Sequence, residues 1–128
     1  MHYFDSSALV KLVLDERETD ALRAYERQVV RIVSSELVRT EVARAVARIT
    51  DSGNGRVAEI LQAVQLVPLS TSLLNEAGRL APASLRSLDA IHLASALLIR
   101  DELEAFVAYD DRLLDAATAL GLPVASPN

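Results

Sequence analysis

Short apolar runs alternate with longer segments of helical periodicity from one end of the chain to the other. The runs that favour strands cover 2–4, 29–33, 66–69, 105–109 and 123–125. Strands that are separated by helices pair in parallel through right-handed crossovers. The order therefore predicts an α/β fold with one small parallel sheet flanked by helices. Pro68 in the third run predicts an edge strand, because proline cannot donate to the ladder.

Helical spacing and capping residues predict the helices of this fold. They are expected at 6–14, 19–28, 56–65, 71–80, 88–103 and 111–120, with one more from an N-cap at Ser34 or Ser35 to residue 50. Turn-forming residues fill 51–55, and Gly121 ends the last helix. Segment 88–103, capped by Ser87, is apolar on nearly every side, which predicts a central, buried helix.

Length and composition restrict the class of protein further. The 128 residues, 51% of them hydrophobic, suffice for one domain over 1–128 with its own core. The absence of cysteine excludes disulfide scaffolds and thiolate chemistry and favours the cytoplasm. The longest apolar stretch, 92–99, is too short to cross a membrane. Asp5 and Lys11 interrupt an N-terminus that lacks the basic region of a signal peptide.

The net charge bears on nucleic acids as partners. At −5, the chain does not suit a protein that coats nucleic acid by electrostatic attraction. If four carboxylates share a metal site, however, the rest of the chain carries only −1, and a nucleic-acid substrate remains compatible. Lys11 is the only lysine among thirteen basic residues. Arginine suits bidentate phosphate contacts, although genome composition is the simpler explanation for its use.

Three acids stand where a parallel sheet opens its ligand crevice. Asp5 and Asp110 each end a predicted strand, and the crevice of an open parallel sheet lies at the carboxyl ends of its strands. Each is explained equally well as the N-cap of the following helix. Asp89 lies in the first turn of the predicted buried helix, where the helix macrodipole alone favours an acid.

Glu41 is a fourth acid, and it lies within a predicted helix. The apolar stripe of that helix consists of Val38, Val42, Ala45 and Ile49. Glu41 lies roughly 70° from the centre of the stripe, at the border between core and solvent. It either points into a crevice or pairs with Arg44 or Arg48.

A divalent cation is the usual reason for carboxylates to converge in spite of their repulsion. Mg²⁺ and Mn²⁺ prefer carboxylate oxygens and water as ligands. A bound ion generates hydroxide and offsets the charge of a phosphoryl transition state, so the set favours phosphodiester hydrolysis. The candidate metal ligands and catalytic residues, below called the four acids, are Asp5, Glu41, Asp89 and Asp110.

Four short segments contain the four acids. They read YFDSSALVK at 3–11, SELVRTEV at 35–42, SLDAIHLA at 87–94 and VAYDDRL at 107–113. In order and separation, over the whole chain, they resemble PIN-domain ribonucleases of the VapC toxin type. The resemblance implies a PIN-like three-layer fold, a Mg²⁺ or Mn²⁺ site at the four acids, and cleavage of RNA, such as tRNA or another structured RNA, by a metal-activated water. It also implies a homodimer, a larger toxin-antitoxin assembly, and a VapB-type antitoxin that inserts a C-terminal segment across the groove.

Position 108 departs from this family, which often has Thr or Ser two residues before its last acid. Ala108 provides no supporting hydroxyl. Asp111 or Asp115 is therefore an alternative to Asp110 as the last acid.

Several other side chains near the acids have two possible interpretations each. Ser7 matches the hydroxyl that commonly follows the first acid and either supports Asp5 or caps a helix. Arg112 either contacts substrate phosphate or pairs with Asp115. His92 follows Asp89 by one turn but is interpreted as a packing residue, because a lone histidine in an apolar helix is usually one.

The first helix and the turn after it carry two further expectations. The helix has more apolar surface than its own core needs, and some of it is expected to form a dimer or antitoxin interface. The residues that supply this surface are Leu9, Val10, Leu12, Val13 and Leu14. The acidic group Asp15, Glu16 and Glu18 is expected to be a solvated turn.

Competing functions remain at this stage. A receiver-like domain needs a lysine late in the chain, and a haloacid-dehalogenase-like phosphatase needs Asp-x-Asp after the first strand; neither is present. The four glycines build no phosphate-binding loop. The alternatives that stay open are a PIN nuclease of RNA processing outside a toxin-antitoxin pair, and a catalytically silent PIN module that binds RNA or protein.

Overall fold

The structure is a computed structural model that describes residues 1–128, and its centre is a five-stranded sheet. The strands are β1 (His2–Phe4), β2 (Ile32–Ser35), β3 (Gln65–Val67), β4 (Ala105–Val107) and β5 (Val124–Ala125), in the order β3-β2-β1-β4-β5. All four neighbouring pairs are parallel, which confirms the predicted parallel α/β fold. β3 lies at an edge as predicted, although Pro68 itself follows the strand.

Seven α-helices connect the strands. They are α1 (Ser6–Val13), α2 (Thr19–Glu26), α3 (Val38–Ala47), α4 (Asn54–Ala63), α5 (Thr71–Gly78), α6 (Ser87–Leu98) and α7 (Asp111–Ala119), with a 3₁₀ turn at Arg100–Glu102. None of them is long and apolar enough to cross a membrane. Gly121 follows α7 with a φ of 80°, a left-handed conformation that glycine adopts without steric cost.

Side chains that alternate along β1 and β4 build a hydrophobic core on each face of the sheet. Phe4 and Val107 pack with helices α1 to α4 on one face, and Tyr3 and Phe106 pack with α6 and α7 on the other. α5 packs against α6 through a smaller apolar cluster. The molecule therefore has three layers, with helices on both faces of one sheet, as expected.

β2 begins three residues later than the sequence indicates, and both of its serines belong to the strand instead of capping α3. Ser34 is fully buried and donates its hydroxyl to the Phe4 carbonyl at 2.6 Å. Ser35 accepts a hydrogen bond from Leu37 N–H, and α3 starts without a side-chain cap. Both serines pair with β3, and this non-local pairing outweighs their local preference for a cap.

α6 and β4 are shorter than predicted. α6 ends at Leu98, because the 3₁₀ turn follows it, and Ser87 is its first residue and not its N-cap. The prediction that this helix is buried on nearly every side is wrong at Leu88 and Leu98, which are 46% and 65% exposed. β4 ends at Val107, so Asp110 lies three residues beyond the strand.

The apolar residues of α1 serve the protein's own core. Leu9 and Leu12 are buried in the cluster that α1 shares with α2, α3 and α4, and Val13 and Leu14 pack against the same cluster. Leu9 and Leu12 are therefore excluded from the predicted dimer or antitoxin interface, whereas Val10, Val13 and Leu14 are only partly buried and the prediction for them stays a prediction. Only Val10 faces the crevice that is described below.

The acidic turn after α1 is not simply solvated, because it holds a buried lysine. Lys11 donates to Glu16 at 3.0 Å and to Glu18 at 2.9 Å. Burial works to lower the pKa of Lys11, but the two carboxylates outweigh burial and raise it. The Thr19 hydroxyl donates to the Lys11 carbonyl and accepts from Glu16 N–H. Asp15 and Glu16 are exposed as expected, but Glu16 is bound to Lys11 and Glu18 is partly buried.

Candidate active site

A crevice of about 780 Å³ opens at the carboxyl ends of β1, β2 and β4. The strand order changes direction between β1 and β4, and open parallel sheets bind ligands at such switch points. Glu41, Asp110 and Ser7 line the crevice. Asp5 does not itself line the crevice but is hydrogen-bonded to Ser7, which does. Asp89 is the next residue in the chain after Leu88, and Leu88 also lines the crevice.

Asp5 is the N-cap of α1 and is 4% exposed. One of its carboxylate oxygens accepts from the Ala8 N–H at 3.0 Å and from the Ser7 hydroxyl at 2.6 Å. Burial raises the pKa of Asp5, and the charge of Glu41 adds to this effect, whereas His92 and the hydrogen bonds oppose it. The capping interpretation is therefore correct, and the same carboxylate also lies within the electrostatic range of Glu41.

Ser7 joins two of the segments that carry the acids. Its hydroxyl donates to Asp5 and accepts from the Tyr109 N–H at 3.1 Å. Because this N–H bonds to Ser7, it does not extend the β4 ladder. Ala108 is fully buried in the apolar core, so the hydroxyl that is missing there leaves no polar group unpaired. Ser7 thus supports Asp5 and also ties the chain just before Asp110 to the first turn of α1.

Asp110 is the N-cap of α7, and its carboxylate accepts from the Leu113 N–H at 3.1 Å. Its side chain is exposed and lines the crevice. Asp111 and Asp115, the alternative acids, are exposed but do not line it. Arg112 is also exposed outside the crevice, and it is not among the arginines that form ion pairs, so the predicted pair with Asp115 is absent.

Glu41 is held by a buried chain of hydrogen bonds. His92 Nε2 donates to Glu41 Oε1 at 2.7 Å, and the Tyr3 hydroxyl contacts His92 Nδ1, also at 2.7 Å. A carboxylate oxygen only accepts, so the Nδ1 of a neutral ring is left to accept from the Tyr3 hydroxyl. The ring hydrogen then lies on Nε2, where it meets the carboxylate. Of the two expectations for Glu41, the crevice is the correct one, and its partner is the histidine instead of Arg44 or Arg48.

His92 is the residue whose role sequence reasoning missed. As predicted, it is a buried and satisfied residue of α6, 1% exposed. Its partner, however, is a candidate site residue. The available signal was its position three residues after Asp89, which places both side chains on one face of the helix. No local pattern indicated that Tyr3 on β1 would complete the chain of hydrogen bonds.

Asp89 is half-buried in the first turn of α6. Burial raises the pKa of Asp89, and repulsion from Asp110 and Glu41 adds to it, against the opposing effects of Arg86 and His92. The charge of Glu41 therefore acts on both Asp5 and Asp89, and the charge of Asp110 acts on Asp89.

The residue types of this cluster fit a hard divalent cation, whose preferred ligands are carboxylate oxygens. As the side chains are placed, no three of them are close enough to form a metal-binding group. Asp5, Glu41 and Asp110 each use one oxygen in a protein hydrogen bond and keep the second without a protein partner. Mutual repulsion works against closer approach when no cation offsets it. The donor chemistry therefore fits Mg²⁺ or Mn²⁺, and the free oxygens are the ones that would ligate it.

Comparisons with known proteins agree with this fold and crevice. A family model described as PIN domain matches residues 2–119. The chain is 43% identical to Ribonuclease VapC47 of Mycobacterium tuberculosis (strain CDC 1551 / Oshkosh), over 99% of this chain and 97% of that protein. It is 44% identical to Ribonuclease VapC46 of Mycobacterium tuberculosis (strain ATCC 25618 / H37Rv), over 98% and 97%.

A solved structure extends the comparison to three dimensions. The crystal structure of Mycobacterium tuberculosis VapC20, a toxin that cleaves the sarcin-ricin loop, matches 99% of this chain and 100% of its own with a TM-score of 0.74. At 15% identity, that match bears on the fold alone. An α/β sheet with an acid-lined crevice at its switch point is the architecture of a PIN domain. The chain belongs to the PIN-domain family and, within it, to the VapC ribonucleases.

Proposed function

We propose that this protein is the toxin of a VapBC-type toxin-antitoxin pair and an endoribonuclease that depends on Mg²⁺ or Mn²⁺. Its membership in the VapC ribonucleases supports RNA cleavage as the activity. The observation that carries the metal dependence is the position of the four acids at the switch point of the sheet, with Asp5 bonded to the lining residue Ser7 and Asp89 adjacent to the lining residue Leu88. Two of these acids open directly into the crevice.

The residues around the crevice have distinct roles in this proposal. The four acids would hold the cation through carboxylate oxygens, and a bound cation would supply an activated water and offset charge on the phosphoryl group. Ser7 holds the orientation of Asp5 through its 2.6 Å hydrogen bond. His92 fixes one oxygen of Glu41 and leaves the other free to ligate a cation.

The partners in this proposal follow from family membership. The relatives are named VapC, so we expect a VapB-type antitoxin, encoded beside this protein, to bind it and block the crevice. We also expect a homodimer within a larger toxin-antitoxin assembly. Light scattering of the purified protein, alone and with the antitoxin, measures both.

The decisive experiment is cleavage of labelled total RNA, with tRNA and ribosomal RNA included, by the wild type and by Asp5→Asn. Asparagine is preferred to alanine, because the structure shows that Asp5 caps α1 and an uncapped helix would lower stability by about 1 kcal/mol. We expect discrete fragments with Mg²⁺ or Mn²⁺ that disappear with EDTA and in the variant. Alanine variants of the four acids should likewise lose cleavage and growth inhibition.

Other outcomes would favour the alternatives. No cleavage of any RNA by folded, antitoxin-free protein would favour a silent binding module. Metal-dependent cleavage without growth inhibition on expression, and without an antitoxin gene alongside, would favour a PIN nuclease of RNA processing. Cleavage that persists in EDTA, or in Asp5→Asn, would contradict the proposed site.

A further inference from the structure

One face of α3 continues the wall of the crevice beyond Glu41. Thr40, Arg44 and Arg48 lie on this face at intervals of four residues, so their side chains form a row along the helix. We call these three residues the α3 row. With a rise of 1.5 Å per residue, Arg44 and Arg48 lie about 4.5 and 10.5 Å beyond Glu41 along the helix axis.

The two arginines of the α3 row are the free cations of the crevice. Both are exposed, and neither is among the arginines that form ion pairs. Lys11, which also lines the crevice, is already bound to two carboxylates of its own turn. In a chain with a net charge of −5, two unpaired guanidinium groups at the crevice create a local attraction for an anionic ligand.

The helix macrodipole explains part of this arrangement but not all of it. Arg44 lies in the last turn of α3, where a cation stabilises the helix whichever face it occupies. Arg39, on the same helix, is exposed but does not line the crevice. The macrodipole therefore gives no reason for Arg44 and Arg48 to share the face of Glu41.

We propose that the α3 row binds the sugar-phosphate backbone of RNA next to the bond that is cut. This inference rests on the proposed function and adds how the substrate is held. Guanidinium groups one turn apart, about 6 Å along the axis, suit bidentate contacts with successive phosphates, and the Thr40 hydroxyl, one turn before Arg44, can donate to the same strand. Backbone contacts set the register of a strand but read no base. The α3 row thus positions the scissile phosphate at the four acids without selecting its sequence.

Binding in the absence of cleavage tests the proposal. In an Asp5→Asn background with EDTA, fluorescence anisotropy is measured with two labelled single-stranded RNA 12-mers of unlike sequence. We expect the double variant Arg44→Gln/Arg48→Gln to raise Kd at least tenfold for both. The slope of log K against log salt should fall by about 1.4, at about 0.7 for each lost phosphate contact. Arg39→Gln, a matched change outside the crevice, should alter neither quantity.

Three outcomes would overturn the proposal. Unchanged Kd and slope in the double variant would remove the α3 row from RNA binding. An equal loss of RNA affinity in Arg39→Gln would show that the effect comes from the net charge and not from the α3 row. Loss of antitoxin binding with intact RNA binding would assign the arginines to a protein partner.

The same variants separate this inference from the proposed function. If the wild type cleaves RNA, the double variant should raise KM with little change in kcat. If the wild type cleaves nothing while its RNA binding still depends on Arg44 and Arg48, the proposed function fails and the backbone-binding role stands. Circular dichroism of each variant confirms that the fold is intact.

Discussion

Asp5 combines a helix cap with a charge that its surroundings disfavour. Burial raises its pKa, so the folded protein is destabilised when this carboxylate ionises without a cation. Asparagine accepts the same hydrogen bonds and carries no charge. We expect Asp5→Asn to raise the free energy of unfolding of the metal-free protein at neutral pH, and therefore to raise its Tm above that of the wild type. Thermal melting in EDTA measures the difference.

The pH dependence of this difference is its control. Below the ordinary aspartate pKa of about 3.9, Asp5 is neutral in both the folded and the unfolded state, so wild type and variant should be equally stable. As the pH rises towards the raised pKa of the folded protein, only the unfolded state loses the proton, and the stability of the wild type falls relative to the variant. Above that pKa the difference stays constant. A difference as large at pH 4 as at pH 8 would contradict an origin in ionisation.

His92 is a positioning residue, because it acts on the site through Glu41, as Ser7 does through Asp5. His92→Leu breaks both of its hydrogen bonds, and we expect kcat to fall about 10- to 100-fold with little change in the KM for RNA. His92→Gln keeps an amide donor near Glu41 and should restore part of the loss. Tyr3→Phe should have a smaller effect, since it removes only the bond that orients the ring.

A second readout separates positioning from stability. Titration calorimetry with Mn²⁺ should show weaker affinity in His92→Leu and recovery in His92→Gln, in parallel with kcat. If His92 only stabilises the core, the Tm will fall while the Mn²⁺ affinity of the folded protein stays at the wild-type value.

At the scale of elements, one hydroxyl joins α1 to the segment between β4 and α7. Ser7→Ala removes the donor to Asp5 and leaves the Tyr109 N–H without its partner, which costs about 1–3 kcal/mol. We expect a lower Tm and slower cleavage. Ser6→Ala is the matched control, because Ser6 lines the same crevice without a side-chain hydrogen bond, and it should keep the wild-type Tm. Equal losses in both variants would show that the link through Ser7 is not the cause.

The elements were predictable where local pattern and long-range pairing agree. Apolar runs and helical spacing indicated all five strands and seven helices in order, and Gly121 ended the last helix as expected. The errors arose where tertiary contacts prevail. Ser34 and Ser35 joined β2 because β3 pairs with them, and Tyr109 left the β4 ladder for Ser7.

The candidate site was likewise predictable where local pattern was sufficient and not where tertiary contacts decide. Positions after strands indicated Asp5 and Asp110, since chain order alone brings strand ends to one edge of a sheet. The partner of Glu41 could not be read from the sequence, because His92 lies 51 residues away, on a helix from the opposite face of the sheet, and only the assembled fold brings the two side chains together. The buried pairing of Lys11 with the acidic turn was hidden likewise, since those residues look solvated in any local window.

For the molecule as a whole, the four acids concentrate at one crevice part of the negative charge that gives the chain its net charge of −5. A fold that holds repelling carboxylates around one crevice gains stability from any ligand that neutralises them. The free energy gained depends on how far the cation concentration exceeds its Kd, because the cation binds only the folded state. Thermal stability therefore reports metal binding independently of any RNA.

Mn²⁺ should raise the Tm of the wild type. At a concentration one hundred times its Kd, the ion should raise the free energy of unfolding by about 2.7 kcal/mol. We expect this shift to be lost in Asp110→Asn, because Asp110 faces the crevice with a free carboxylate oxygen. Asp111→Asn is the matched control, since Asp111 is the adjacent residue, is exposed and lies outside the crevice, and it should keep the full shift. Differential scanning fluorimetry with Mn²⁺ and with EDTA measures all three proteins. A shift that is lost in Asp111→Asn and kept in Asp110→Asn would move the metal site to the alternative acid, and no shift in the wild type would contradict metal binding at this crevice.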